Sequence, residues 1–249
     1  MRKMKLYLMC LTTVLISLSV CSCLSDGDND KVQVQTFVQV NAHDLPVSFT
    51  NSIGVKLIPN QAITVPESKE MALINYQYDK TTVPANATSI NITLLDNPYY
   101  FTKSPISLDG EPGNAPFVTL EPHGFRGGFF NKEILILPIS FKYKRYSEEK
   151  ELKEEIKRHT FAMMYDNEKG FKDGILTLHL HHTITSHLDE QRITDGFDYK
   201  AYDLSSVLSV VGSDKVTKVE VVIKENQYNN KYSEAQEKTY SYEYPFNKK

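Results

Sequence analysis

Residues 31–40 read KVQVQTFVQV, and they decide what kind of protein this is. Val32, Val34, Val38 and Val40 share one phase with Thr36, while Gln33, Gln35 and Gln39 take the other. A period of two, aliphatic on one side and amide on the other, is a half-buried β-strand. The same period recurs downstream. LPVSFTNSIGVKLIP (45–59) reads as two short strands around a turn at Asn51 to Gly54. EMALINYQYD (70–79) alternates around Ala72, Ile74, Tyr76 and Tyr78, and TSINITLLD (88–96) around Ile90, Ile92 and Leu94. About five short strands in so little chain predict a small barrel or sandwich over 32–100.

From Asn97 to Pro122 the period dissolves among five prolines and two glycines, so 101–122 is expected to be a linker. Strand patterns then return over 123–249. KEILILPISFKYKRY is strongly β, with Pro138 implying an edge or a bulge. HTFAMMYD and GILTLHLHHTI follow as strands, and VTKVEVVIKEN with KTYSYEYPF forms a hairpin across a polar hinge, 226–236. Six or so strands at this spacing predict an antiparallel β-sandwich. SEEKELKEEIKR (Ser147 to Arg158) has only Leu152 and Ile156 as apolar content, so it reads as a solvated hairpin extension with one or two helical turns. The fold class is all-β: Tyr, Phe, Thr, Val and Ile abound and Trp is absent.

The chain opens with Arg2, Lys3 and Lys5, then runs without charge from Leu6 to Val20 before Cys21, Ser22 and Cys23. A basic head, a short apolar run and small residues at the end describe a secretory signal peptide, 1–22. The run is shorter than the ~20 residues that cross a bilayer. Val20 to Cys23, VCSC, resembles the lipobox of bacterial lipoproteins, with Val20 three before the cysteine and Ser22 just before it. The resemblance implies that Cys23 becomes an acylated N-terminus, and two or more acyl chains anchor firmly. Cys10 and Cys21 leave with the signal, so neither a disulfide nor a thiolate metal site is expected. LSDGDND forms an acidic tether, 23–31 with Cys23. As a calcium loop it would place Phe37 where the bidentate glutamate belongs. Acidic residues after the lipid cysteine resemble the surface-export signal of Bacteroidetes lipoproteins. That implies a role for Asp26, Asp28 and Asp30 in export to the exterior of the outer membrane and none in folding. Losing the three cations takes the net charge from −3 to −6, which disfavours nucleic acid as a partner.

Among chemistry-bearing residues, LHLHHT draws attention. His182 shares a face with Leu176, Leu178, Leu180 and Ile184, while His179 and His181 point the other way, Cβ atoms roughly 7 Å apart. That pair makes two zinc ligands, with His159 or His187 as a third, but no motif fixes an acidic partner and surface packing is the plainer reading. HGFRGGFF (123–130) lacks the Lys-Ser/Thr of a phosphate loop and reads as a tight turn entering the second domain. No serine sits in a nucleophile elbow, and the pairs Glu148–Glu149, Glu154–Glu155 and Asp189–Glu190 lie in polar stretches, where they are expected to be solvated. Tyr99, Tyr100 and Phe101, and the stripe Tyr240, Tyr242 and Tyr244, are either ring-stacking faces or core. No enzyme activity and no cofactor is expected.

These pieces, in order, resemble the NigD-like lipoproteins of Bacteroidetes. The carriers are the lipobox with its acidic tether, GVKLIPNQAITVP with MALINYQYD, FRGGFFNKEILILPISFKY, HTFAMMYD, LTLHLHH, FDYKAYDLSSV and KTYSYEY. The resemblance implies an OB-like N-terminal barrel, a C-terminal β-sandwich, no catalysis and a loose bacteriocin-immunity label. It transfers no functional residue beyond Cys23, and this chain departs from it at Ser147 to Arg158 and at His181. The function expected is binding of a protein or glycan ligand at the envelope. An alternative is a fimbrillin-like structural or adhesin subunit, although no Arg lies between Cys23 and His123 for the processing some of those undergo.

Overall fold

In a computed structural model, KVQVQTFVQV (31–40) lies within a single strand, as its period predicts. The model describes residues 30–108, 110–188 and 190–247. The expected signal peptide, Cys23, Asp26 and Asp28 lie outside the described residues. No helix among the described residues is long and apolar enough to cross a membrane. The described residues form two compact units, one ending at Thr102 and the other beginning at Lys103.

The first unit contains β1 (Lys31–Asn41), β2 (Ser48–Thr50), β3 (Lys56–Pro59), β4 (Met71–Asp79), β5 (Ser89–Leu94) and β6 (Tyr99–Phe101). Their order is β1-β2-β3-β5-β4, and β4 returns to pair with β1, which closes a five-stranded barrel. β1 lies antiparallel to β4 from Lys31 opposite Asp79 to Gln39 opposite Met71. β3 and β5 run parallel, the order and sense of an OB-like barrel. Closure leaves no free edge among these five and turns the alternate residues inward. Val38, Phe49, Leu57, Ile74 and Ile92 are buried at the centre, each stabilising the unit by roughly 1.5–3 kcal/mol. The expected export residue Asp30 has a structural part as well: its carbonyl accepts the Lys80 N–H at 2.8 Å, extending the β1–β4 ladder by one bond.

The second unit contains β7 (Lys103–Pro105), β8 (Gly128–Phe129), β9 (Ile134–Tyr143), α1 (Glu149–Lys157), β10 (His159–Met164), β11 (Phe171–Lys172), β12 (Ile175–Ile184), β13 (Thr194–Asp203), α2 (Ser205–Val211), β14 (Lys218–Glu225) and β15 (Gln236–Glu243). One sheet has the order β10-β12-β14-β15, with β11 on β12; the other is β7-β13-β9-β8. Leu135, Leu137 and Ile139 of the second sheet share one core with Leu178, Val221 and Tyr242 of the first. The sandwich is therefore present, but it is not wholly antiparallel. β12–β14 and β13–β7 are parallel. The chain leaves β12 for β13 in the other sheet and returns through α2, so β14 comes back in the same sense as β12.

Residues 101–122, expected to be a linker, are instead built into the units. Phe101 is buried in the first, and β7 starts the second. β12 and β14 pair only from Ile175 to His179 and from Lys218 to Val222. Beyond that they diverge, and residues 114–117 fill the split. Ala115 N–H bonds to His182 O (3.1 Å) on one side, and Phe117 N–H bonds to Lys224 O (2.8 Å) on the other. The turn around Arg126 consequently lies inside the second unit and does not lead into it. Pro138 sits as expected where the ladder lapses: β8 covers Leu135 and Ile136, residue 119 covers Ser140, and nothing seeks the missing N–H between them.

Candidate functional site

His179 and His181 stand on the outer face of β12, ring centroids 6.4 Å apart. They border a hollow of about 180 Å³ at the mouth of the sheet split, with Lys224, Tyr232 and Glu237 opposite. His181 Nδ1 accepts the Gly113 N–H at 2.8 Å, so the neutral ring carries its proton on Nε2. Burial, and then the neighbouring His179, lower the His181 pKa and keep that ring neutral. Neither proposed third zinc ligand joins the pair. His159 is buried on the opposite face of the sheet, and His187 sits by Glu190 at 3.8 Å. No group of three or more His, Cys, Asp or Glu among the described residues is placed to hold a metal ion. The hollow has room for one side-chain-sized group, well short of the ~300–1,000 Å³ of ordinary ligand sites.

Behind β12 lies a chain of buried polar groups that sequence reading missed. Glu155 was expected in solvent, yet it and Arg192 are both fully buried. Arg192 Nε donates to Glu155 Oε1 at 2.7 Å, Arg158 Nη1 to Oε2 at 2.9 Å, and Lys144 N–H to Oε1 at 3.1 Å. Burial raises the Glu155 pKa, but these hydrogen bonds outweigh it and hold the carboxyl down to about 2. His159 Nε2 lies 3.5 Å from the same carboxylate, and its Nδ1 is 2.8 Å from His182 Nε2. His182 Nδ1 donates to Pro116 O at 2.9 Å. That last bond fixes the tautomers: His182 Nε2 must accept, so His159 Nδ1 donates, and the bare Nε2 of the neutral His159 ring makes no hydrogen bond to Glu155. Burial depresses His159 to about 4 and His182 to about 3. Phe141 and Phe161 pack against His182, sealing it further. A paired acid and base of this kind would suit proton transfer, but no substrate reaches a carboxylate with zero exposure. Glu155 ties α1 to Arg192 and the 187–192 loop, and the histidine pair ties β10 to β12.

The larger concavity lies on the barrel. β3 and β5 are parallel neighbours, so both chains leave the barrel at the same end and diverge, opening a cleft of about 730 Å³. One rim is Gln61 to Thr64, and the other is Leu95 to Pro98. Both rims are tied down. Asn60 N–H bonds to Ile92 O (2.8 Å), Leu95 N–H to Asn75 O (2.8 Å), and Asn75 Nδ2 to Asp96 Oδ2 (2.8 Å). Ile63, Pro98 and Tyr100 are half-buried beneath exposed Gln61, Thr64, Asp96 and Asn97. The Tyr100 hydroxyl is shielded from solvent with no hydrogen-bond partner among the described residues, and burial raises its pKa.

The aromatic clusters divide. Tyr100 lines the cleft, Phe101 is core against Phe37, and Tyr99 is partly exposed beside Phe101. Tyr240, Tyr242 and Tyr244 are buried in the sandwich. Tyr244 Oη donates to Lys132 O at 2.8 Å, and Tyr242 Oη has no partner among the described residues. Arg126 donates to Ser241 O at 2.6 Å and lies over the Tyr242 ring, closing part of the β15 edge.

No protein-family model and no curated protein matches the chain. Solved structures do. A putative lipoprotein from Bacteroides fragilis is similar at 29% identity and TM-score 0.72, over 85% of this chain and 98% of that one. The barrel-plus-sandwich fold that the NigD-like resemblance implies is present. A protein of unknown function from Bacteroides vulgatus shares the fold at 14% identity and TM-score 0.56, over 86% of this chain and 92% of that one. A NigD-like immunity protein from Bacteroides caccae is more distant, at 13% identity and TM-score 0.46 over 84% of this chain and 96% of that one.

Proposed function

We propose that this chain is a NigD-like outer-membrane lipoprotein, held by acyl chains on Cys23 and facing the cell exterior, that binds a ligand through its barrel. The observation that carries the reading is the likeness to the B. fragilis putative lipoprotein over nearly all of that chain, in a sequence with VCSC at Val20 to Cys23. The binding role is supported by the barrel cleft, whose volume lies within the range of small-molecule sites. The acid–base groups of the sandwich are sealed in its core, and no catalytic step is assigned to them. Asp26 and Asp28 carry the export role. Asp30 shares it while also ending the β1–β4 ladder.

Protease shaving of intact cells tests the orientation. The native chain should be degraded under conditions that leave a periplasmic marker intact, and an Asp26→Asn, Asp28→Asn variant should be protected. Full protection of the native chain would overturn the surface reading. Unchanged bacteriocin sensitivity after gene deletion would remove immunity as the form the binding takes.

A further inference from the structure

The barrel cleft has a lining that selects among ligand chemistries. Its side chains are one carboxylate, two amides, one hydroxyl, a proline, a tyrosine and aliphatic groups. No Lys, Arg or His borders it. A phosphate, sulfate or carboxylate would meet Asp96 with no cationic side chain in the lining to neutralise it, and like charges brought together in a partly enclosed site repel. A purely apolar ligand would strip water from Gln61, Thr64, Asp96 and Asn97 without replacing their hydrogen bonds. The ligand that suits this set carries many neutral hydroxyls and a flat apolar face. Amide and carboxylate groups can accept and donate to paired hydroxyls, while Pro98 and the Tyr100 ring offer apolar surface below them.

We propose that this cleft binds a neutral carbohydrate, one to three sugar units long. The inference rests on the binding role proposed above and names its ligand class. Size agrees with it: a cleft of about 730 Å³ holds a short oligosaccharide and no folded partner. Preorganisation agrees as well, because the ladder bonds at Asn60 and Leu95 fix both rims, so little ordering cost falls on binding. The side chains at the rim are exposed, so they are available without opening the barrel. Asp96 is the specificity element. Its Oδ2 is held by Asn75 at 2.8 Å, which points the carboxylate consistently and excludes acidic sugars.

The test uses the purified soluble chain from Leu24 onward, ¹⁵N-labelled, titrated with maltotriose, cellotriose, mannotriose and trigalacturonate, and separately with an uncharged Gly-Ser-Ala hexapeptide. At least one neutral trisaccharide should shift the amide and side-chain signals of Gln61, Thr64 and Asn97 saturably at millimolar concentration or below. Trigalacturonate should bind at least ten-fold more weakly. Asn97→Ala should weaken the neutral sugar at least five-fold with an unchanged melting temperature, and Asp96→Asn should narrow the gap between neutral and acidic sugars. No saturable shift with any of the three neutral sugars up to 20 mM overturns the proposal, as does equal binding of trigalacturonate or binding of the hexapeptide alone. Because the measurement is made in solution, its failure leaves the cell-surface reading untouched, and failed shaving leaves the cleft untouched.

Discussion

Replacing Arg192 with Leu removes the strongest partner of a carboxylate that has no exposure at all. Glu155 would lose the Nε bond at 2.7 Å and the Nη2 contact at 3.4 Å, and would keep Arg158 Nη1 and the Lys144 N–H. The carbonyls of His187 and Glu190, which Arg192 Nη1 now reaches at 2.9 and 3.3 Å, would each lose a donor and keep one, the Glu190 N–H at 3.2 Å and Asn230 Nδ2 at 3.3 Å. Breaking one side of a buried pair costs about 3–5 kcal/mol. The two surviving donors set the expectation near the middle of that range, about 4 kcal/mol. In a unit of this size that lowers the melting temperature by about 8–16 °C. The loss should shrink toward low pH, because without Arg192 only Arg158 and the Lys144 N–H oppose the upward effect of burial on the Glu155 pKa, and the carboxyl takes up a proton more readily than in the wild type. Urea unfolding at pH 7.5 of the wild type, Arg192→Leu, Glu155→Gln and the double variant gives the coupling energy directly. A single-variant loss under about 1 kcal/mol, or a coupling within about 0.5 kcal/mol of zero, would refute the claim that this pair anchors α1.

Three further outcomes follow from the same structure. His159 and His182 titrate at about 4 and about 3 when folded, below the ordinary histidine value of about 6.5. The unfolded chain therefore binds more protons below pH 6.5, and stability falls as the pH drops from there toward 4. Each should lose about 1.4 kcal/mol between pH 8 and pH 5.5, and a His159→Gln, His182→Gln variant should show a flatter pH profile in urea titrations. Gly113→Ala would place a Cβ 2.7 Å from His182 O, a backbone atom that cannot turn aside, so the filled sheet split should be destabilised by about 1–3 kcal/mol in thermal melts. Leu57→Ala empties part of the barrel core and should cost about 2–5 kcal/mol in the barrel transition, leaving the sandwich transition seen by near-ultraviolet circular dichroism in place.

Strands were legible because their period is local. The valines of β1 and the leucines of β12 announce which face is buried, and the barrel and the sandwich both follow from such runs. The parallel pairings were not legible, since β12 and β14 are brought together by a return through the other sheet, which leaves no periodic mark. The proline-rich segment 101–122 read as a linker for a similar reason. Its bonds go to diverging strand ends, and a chain that fills a split needs no alternation of its own. α2 was missed: it is only seven residues long, and its buried apolar residues Val207, Leu208 and Val211 are too few to mark a helical period. Glu155 is the instructive error. The charged run around it looked uniformly solvated, and its partner Arg192 lies 37 residues away. Nothing near Glu155 in the chain distinguishes it from Glu154, which pairs with Lys157 at the surface. The barrel cleft was hidden too, because its two rims come from loops about 30 residues apart, made neighbours only by the parallel pairing of β3 and β5.

The central claim is that this chain reaches the envelope as a lipoprotein tethered at Cys23. The mass of the N-terminal peptide of the mature protein, taken from the membrane fraction, tests it most directly. The account predicts a peptide that begins at Cys23 and carries a diacylglyceryl group and an N-acyl chain, with Cys23→Ser left uncleaved and unlipidated. A mature chain that begins elsewhere, or an unmodified Cys23 in a protein released to the medium, would contradict it.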